Sequence, residues 1–322
     1  MSSYRFCRTD DVSLLVDALN RCWSPYFPDE PPVTPATFKW SIRHLQVWCS
    51  SCMVAFSGSE PIGVLVGAKR LSGTLIHKIA VHPDHCRQGH GRHLLTSLSS
   101  KLAILGPPRM VAEVPETLAA TCGLFTACGY REEAVLTDYV LEGPVLTLRQ
   151  AQGHPERSRG MSEQEFGEAG PMRVEGFVIP ITVDDLAANG LLGEYAPLLC
   201  WERSVETLTA RKDDIAGLAV ASDERIEACL LYVKRGVGPE GNAEAGPQAS
   251  APTEIVSLRS FIEDGGARLK QLLSHLRAQG ITTFRFPKVH PTEVSGEFLA
   301  TLGFRPAGGH RLYAAMARSD QA

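Results

Sequence analysis

The feature that most constrains the fold of this chain is an internal repeat. Arg8-Thr9-Asp10-Asp11-Val12, ahead of a helical pattern, returns as Ile181-Thr182-Val183-Asp184-Asp185-Leu186 ahead of another, so each half begins with a short strand and a capped helix. Glu60-Pro61-Ile62-Gly63-Val64-Leu65-Val66 reads as a hairpin turn entering an alternating strand, and Glu224-Arg225-Ile226-Glu227-Ala228-Cys229-Leu230-Leu231 repeats it. Near each end the pattern returns as Phe125-Thr126-Ala127-Cys128-Gly129-Tyr130-Arg131 and Leu299-Ala300-Thr301-Leu302-Gly303-Phe304-Arg305. Each half therefore predicts a strand, a helical region, a strand hairpin, a middle strand, a helix, a strand, a short helix ending at Gly and a final strand. That is an α/β chain: a mixed sheet with helices on its faces, duplicated in tandem.

At 322 residues the chain can bury two cores of ordinary size. The expected domains are residues 1–145 and 172–322, joined by a linker at 146–171 that has almost no periodic apolar content. A second stretch, 236–252, is rich in Gly, Ala, Pro and Glu and predicts a disordered surface loop. A formal net charge of −4 provides no domain-wide basic surface, so no nucleic-acid partner is expected. The opening residues lack an apolar signal region and no run approaches a membrane span, so the expectation is a cytoplasmic protein with no membrane partner. Nine cysteines in apolar contexts read as reduced thiols. Cys49-Ser50-Ser51-Cys52 is formally a metal or redox pair, but no second pair follows and Cys52 leads into strand-like Met53-Val54-Ala55-Phe56, which favours packing; no metal is expected.

The chemistry concentrates in one segment. Ile79-Ala80-Val81-His82-Pro83 runs an apolar strand into the basic loop Arg87-Gln88-Gly89-His90-Gly91-Arg92, and Leu94, Leu95, Leu98, Leu102 and Leu105 then mark a helix. Gly89 and Gly91 permit backbone conformations and close approaches that a Cβ would block, so consecutive N–H groups can gather around an anion at the helix N-terminus. Arg87 and Arg92 add charge. The loop lacks the Lys-Ser/Thr ending of a nucleoside triphosphate loop and the Gly-x-Gly-x-x-Gly register of a dinucleotide fold. His77, His82, His85, His90 and His93 cluster around it, where anion binding already accounts for basic side chains.

Arg87-Gln88-Gly89-His90-Gly91, after a strand ending at Val81 and a Pro-containing turn, resembles the coenzyme A pyrophosphate loop of the GNAT-type N-acetyltransferases, whose pattern is Arg/Gln-x-x-Gly-x-Gly/Ala. The duplication resembles the two-domain acetyltransferases, among them the mycothiol synthase family. That family keeps its working site in the C-terminal half, whereas here the second half has Ile262-Glu263-Asp264-Gly265-Gly266, with two carboxylates near the would-be pyrophosphate. The resemblance implies acetyl-CoA as co-substrate of the first half and a degenerate second half. Ile79, Ala80 and Val81 would face the pantetheine, with the Val81 N–H as oxyanion donor, provided that the strand Arg109 to Val114 splays away.

For the base, His77 and Glu113 are the candidates. Period-2 alternation puts His77 on the same face as Ile79 and Val81, and an imidazole of ordinary pKa, about 6.5, is a plausible acceptor at neutral pH. Glu113 stands on an otherwise apolar strand and could instead pair with a nearby Arg. The family's thiolate-protonating tyrosine is replaced by Phe125, and by Leu299 in the second half, so Tyr130 and Tyr139 are the candidate substitutes. Trp23, Tyr26, Phe27, Asp29, Glu30, Phe38 and Trp40 fall where an acceptor would bind, and suit a small-molecule or peptide amine; for the Trp residues helix packing is the favoured explanation. The expected activity is acetyl transfer to an amine by direct attack in a ternary complex. Alternatives are a non-catalytic acyl-CoA-binding or regulatory module and a purely structural scaffold; a homodimer is compatible with each.

Overall fold

The computed structural model describes residues 2–143, 176–192, 200–234 and 252–318. The expected linker at 146–171 lies outside them, as does the insert at 236–252 apart from residue 252. The first half runs β1 (Ser2–Phe6), α1 (Val12–Cys22), α2 (Pro35–Leu45), β2 (Met53–Ser57), β3 (Glu60–Lys69), β4 (Thr74–Val81), α3 (His90–Leu105), β5 (Arg109–Pro115), α4 (Ala119–Ala127) and β6 (Arg131–Leu141). The second repeats that order as β7 (Phe177–Ile181), α5 (Val183–Ala188), α6 (Val205–Ala210), β8 (Ile215–Ala221), β9 (Ile226–Val233), β10 (Thr253–Ser260), α7 (Ala267–Ala278), β11 (Phe284–Val289), α8 (Gly296–Thr301) and β12 (Arg305–Met316). The repeat in the sequence is therefore a repeat of structure.

The halves do not form one sheet each. All twelve strands join in the order β1-β2-β3-β4-β5-β12-β6-β11-β10-β9-β8-β7, so the last strand of each half is inserted into the other. β12 pairs antiparallel with β5, Leu312 opposite Glu113, and also with β6, Leu312 opposite Ala134. β6 in turn pairs with β11, Phe286 opposite Tyr139. The exchanged strands pair the edges of β5 and β11, so neither is left open at the centre of the sheet.

Helices cover both faces. Leu15 and Leu19 of α1 and Phe38 and Leu45 of α2 pack on Val64, Val66, Ala68 and Ala80. Leu94, Leu98 and Leu102 of α3 and Phe125 of α4 pack on the opposite face, against Leu65, Ile76, Met110 and Ala112. In the second half α5 and α6 bury Val183, Leu186 and Leu208 against Ala219, Cys229 and Leu231, and α7 and α8 bury Leu269, Leu272 and Leu299 against Leu230 and Phe286. A buried Arg70 ties the halves together: it stacks over the Trp201 ring at 3.8 Å and donates to Ser204 Oγ, Thr207 Oγ1 and the Trp201 carbonyl.

The site depends on a break in this regularity. β4 and β5 pair in parallel only at Thr74 with Met110 and Leu75 with Val111, then part. Along β3 and β4 the register passes from Val66 with Lys78 to Gly67 with Ile76, so His77 is an extra, bulged residue. A bulge bends its strand and increases its twist, which opens the gap. It also reverses the parity of the side chains: Ile76 and Ile79 both pack toward α3, while Leu75 and Ala80 share the α1 face. The simple alternation that puts His77 in line with Ile79 and Val81 is thereby corrected.

Leu312 lies at the seam, only 4% exposed and packed with Leu136 and Cys200. Leu312→Ala should cost about 2–5 kcal/mol. Because the exchanged strands make one cooperative unit, urea unfolding of this variant should give coincident transitions by fluorescence and circular dichroism.

Candidate active site

The gap between β4 and β5 forms a cavity of about 400 Å³. The main chain of β4 faces it in a defined way. His82 N–H donates to Ile62 O, which makes Val64 with Ala80 and Val66 with Lys78 the hydrogen-bonded pairs of the antiparallel β3–β4 ladder. Ile79 and Val81 occupy the other pairs, so their N–H and C=O groups point away from β3 and toward the gap. Tyr26 confirms the direction, since its hydroxyl donates to Val81 O at 2.7 Å. Ile79, Ala80 and Val81 all line the cavity.

The basic loop closes one end. Arg87 takes φ +63° and Gly89 φ +87°, after which α3 begins at His90. Gly89 meets nothing within 4 Å, so its backbone conformation alone demands glycine. Gly91 lies in the first turn of α3, and a Cβ there would come within 3.0 Å of the Leu124 side chain. Its small size is required by the approach of α4. Arg87, Gly89, His90, Gly91 and Arg92 line the cavity, whereas Gln88 does not; its amide donates back to Asp84 O at 3.4 Å. Among the described residues no carboxylate pairs with either guanidinium of Arg87 or Arg92. His90 is 6% exposed, shares a 2.6 Å hydrogen bond with the Tyr4 hydroxyl through Nδ1, and among the described residues has no partner for Nε2.

His77 and Glu113 also line the cavity. Burial pushes the His77 pKa down to about 3, helped by the cations of Lys78 and Lys288 and opposed by Glu202. The half-buried imidazole therefore stays neutral across the ordinary pH range. Glu113 does not meet an Arg from its own half. It accepts the Trp201 backbone N–H at 2.6 Å through Oε1 and pairs with Lys288 Nζ at 3.0 Å through Oε2, both from the second half. Lys288 also contacts Glu202 Oε1 at 3.2 Å. It sits at the bulge of β11 with φ +50°, held by its N–H to Asp138 Oδ1 at 2.8 Å and by Arg203, which donates to its carbonyl at 2.6 Å. The two carboxylates hold the Lys288 pKa well above the usual range, and Lys288 lowers that of Glu202 to about 2. Lys288 and Glu202 carry no motif in the sequence; only the folded pairing reveals them.

The two candidate tyrosines are not brought to the cavity. Tyr130 is buried, its ring edge-on to Phe125 at 5.0 Å and its hydroxyl on Met110 Sδ at 3.7 Å. Tyr139 lies on β6, which the exchange carries into the second half, where it packs against the cluster that includes Leu299. Phe125 lines the cavity. So do Trp23, Tyr26 and Phe27, with Trp23 and Phe27 stacked at 4.4 Å, whereas Phe38 is core and Trp40 stacks on His44 at 4.1 Å. Cys49 and Cys52 are buried free thiols.

The corresponding loop of the second half is occupied by its own side chain. Asp264 accepts the N–H of Gly266 at 2.9 Å and of Arg268 at 2.8 Å, placing a carboxylate on the N-terminus of α7. Arg268 turns inward to Glu227 at 2.8 Å.

Residues 13–130 match the model of the acetyltransferase (GNAT) family. No curated protein sequence matches the chain. Among solved structures it is similar to a tandem GNAT protein from the clavulanic acid biosynthesis pathway, at 16% identity over 99% of each chain and a TM-score of 0.60. It is similar also to a GCN5-related N-acetyltransferase from Sphaerobacter thermophilus, at 13% identity over 98% of this chain and 96% of that one with a TM-score of 0.59. A putative acetyltransferase from Pyrococcus horikoshii aligns at 13% identity over 100% of this chain and 91% of that one, TM-score 0.57. At such identities the likeness is one of fold, and the fold is the tandem GNAT architecture.

The depressed pKa of His77 has a consequence for stability. The unfolded chain protonates this imidazole near about pH 6.5, the native protein only near 3. As pH falls between those values the unfolded state gains protons first and stability is lost. His44, His90, His290 and His310 shift the same way and remain in a variant. The melting temperature of the parent should thus fall further between about pH 7 and about pH 5 than that of His77→Asn, as scanning calorimetry can read.

Proposed function

With a GNAT domain at residues 13–130 and the tandem GNAT fold over the whole chain, we propose that the first half binds acetyl-CoA in the β4–β5 gap and transfers its acetyl group to an amine. The observation that carries this reading is the conjunction of outward-facing main-chain groups on Ile79 and Val81 with a loop whose Arg87 and Arg92 have no acidic partner among the described residues. The pantetheine would add to β4 as a strand adds to a sheet edge, and the pyrophosphate would meet the N–H groups at the start of α3. The buried, unpartnered Nε2 of His90 supports a ligand at that end.

In the reaction the amine attacks the thioester carbonyl directly, and the Val81 N–H stabilises the developing oxyanion. The nitrogen must lose a proton. His77, with its pKa pressed to about 3, is a poor acceptor at neutral pH, which leaves Glu113, anchored by Lys288 and the Trp201 N–H, as the candidate that holds the amine's proton. The leaving thiolate takes its proton from solvent, since Phe125 offers none. That same Phe125 favours the second reading, acyl-CoA binding without turnover. The acceptor is a small-molecule or peptide amine. Such an activity fits a cytoplasmic protein, and among the described residues no helix is long and apolar enough to cross a membrane.

Only one coenzyme should bind per chain, because Asp264 occupies the second helix N-terminus. Calorimetric titration should give one site, and Arg87→Ala should weaken it roughly ten- to a hundredfold by deleting a charge-assisted phosphate contact. Two equivalent sites, or an unchanged affinity, would overturn the assignment. Glu113→Gln should retain coenzyme binding and lose coenzyme A release in the presence of pooled amines, while no release by the parent with any amine would favour the binding module.

A further inference from the structure

Among the described residues, the lining of the β4–β5 cavity contains a single primary amine, Lys78. The bulge at His77 directs it to the α1 face, beside Ala80, where its Nζ lies 4.3 Å from the centre of the Trp23 ring. The hold on the ammonium is slight. Glu30 Oε2 is 3.7 Å away on a half-exposed side chain, and the same carboxylate accepts the Trp23 Nε1–H at 3.0 Å. Lys78 itself is 22% exposed, and burial lowers its pKa, so more of it is the neutral, nucleophilic amine than on an open surface. The next residue along β4 is Ile79, the first of the two whose main-chain groups face the gap.

We propose that Lys78 is an internal acyl acceptor, so that the protein loaded with acetyl-CoA acetylates its own Lys78. This rests on the reading that the cavity holds the thioester. The neutral Nζ attacks the thioester carbonyl carbon, a C–N bond forms and the C–S bond breaks, and coenzyme A departs as the thiolate. The proton shed by nitrogen neutralises that thiolate through solvent. The product is an uncharged amide, which loses both the contact with Glu30 and the attraction to the Trp23 face. Its acetyl group then stands on the acceptor side of the cavity, so the modification blocks transfer to other amines.

The test is incubation of the full chain with acetyl-CoA, followed by intact-mass measurement and peptide mapping, with coenzyme A binding measured in parallel by calorimetry. One acetyl group should appear at Lys78 on the order of a hundredfold faster than at the exposed Lys39 or Lys270, because a bound thioester reacts at high effective concentration. Excess coenzyme A should slow it, and Lys78→Arg should abolish the mass gain while still binding coenzyme A. If that variant does not fold, the map of the parent decides alone. Coenzyme binding with Lys78 no faster than the exposed lysines, or a rate indifferent to excess coenzyme A, overturns self-acetylation and leaves the proposed function standing. Failure to bind coenzyme A overturns both.

Discussion

Everything in the molecule hangs on the antiparallel pairing of β6 with β12. Each is the last strand of its half and each completes the other half's sheet, which turns two short sheets into one of twelve strands. The pairing also fixes where side chains of different halves meet. With β12 beside β5 and β6 beside β11, the single helical turn Trp201–Arg203 can lie across these strands. It contacts Glu113 on β5 through the Trp201 N–H and the Pro287 and Lys288 carbonyls on β11 through Arg203. The second half thereby buttresses Glu113, a lining residue of the first half's cavity.

That contact sets the electrostatics behind Glu113. Glu113 and Glu202 share Lys288, so two carboxylates flank one ammonium. Removing a charge from such a group leaves an uncompensated ion, typically at a cost of about 3–5 kcal/mol, so the three residues depend on one another. The same ammonium helps to keep a proton off His77. Two groups that look like interchangeable bases in the sequence thus differ in the fold: His77 is kept neutral, and Glu113 is held in place by Lys288 and the Trp201 N–H.

Local patterns reported local structure well. The repeated strand signals, the loop from Arg87 to Arg92 and the apolar stripe of α3 all correspond to elements, because each depends on neighbours close along the chain; the cap signal holds at α5, where Thr182 and Asp185 form a capping box, but α1 starts after Asp11 with no side-chain cap. The face of His77 was not legible, since alternation assumes an unbroken ladder and a single bulged residue reverses it. Nor was the exchange: the strand pattern of residues 131–141 states that it is half-buried and says nothing of which strand it will pair with. Tyr139 shows the result, close in sequence to the cavity-lining Phe125 yet built into the other half. Glu113 was recognisable as a carboxylate on an apolar strand, but its partner Lys288 owes its position to a left-handed backbone at a bulge, and nothing in Phe284–Val289 announces that.

The asymmetry between the halves follows from what each puts at equivalent places. Both retain a left-handed glycine before the helix, Gly89 ahead of α3 and Gly266 ahead of α7. In the first half the N–H groups that follow are left for a ligand and flanked by exposed arginines. In the second, Asp264 satisfies them with a carboxylate only 2% exposed. The parting of the strands recurs as well, since β10 and β11 pair only at Thr253 with Phe284 and Glu254 with Arg285. There Arg203, paired with Glu293 at 2.7 Å, has taken the carbonyls of Pro287 and Lys288. A helix N-terminus and a split sheet both carry unsatisfied main-chain groups, which must be met by a ligand or by the protein. The second half has met them with its own side chains. The one that fills its split sheet, Arg203, also helps hold Lys288 against Glu113, so the groups that close one site help to build the other.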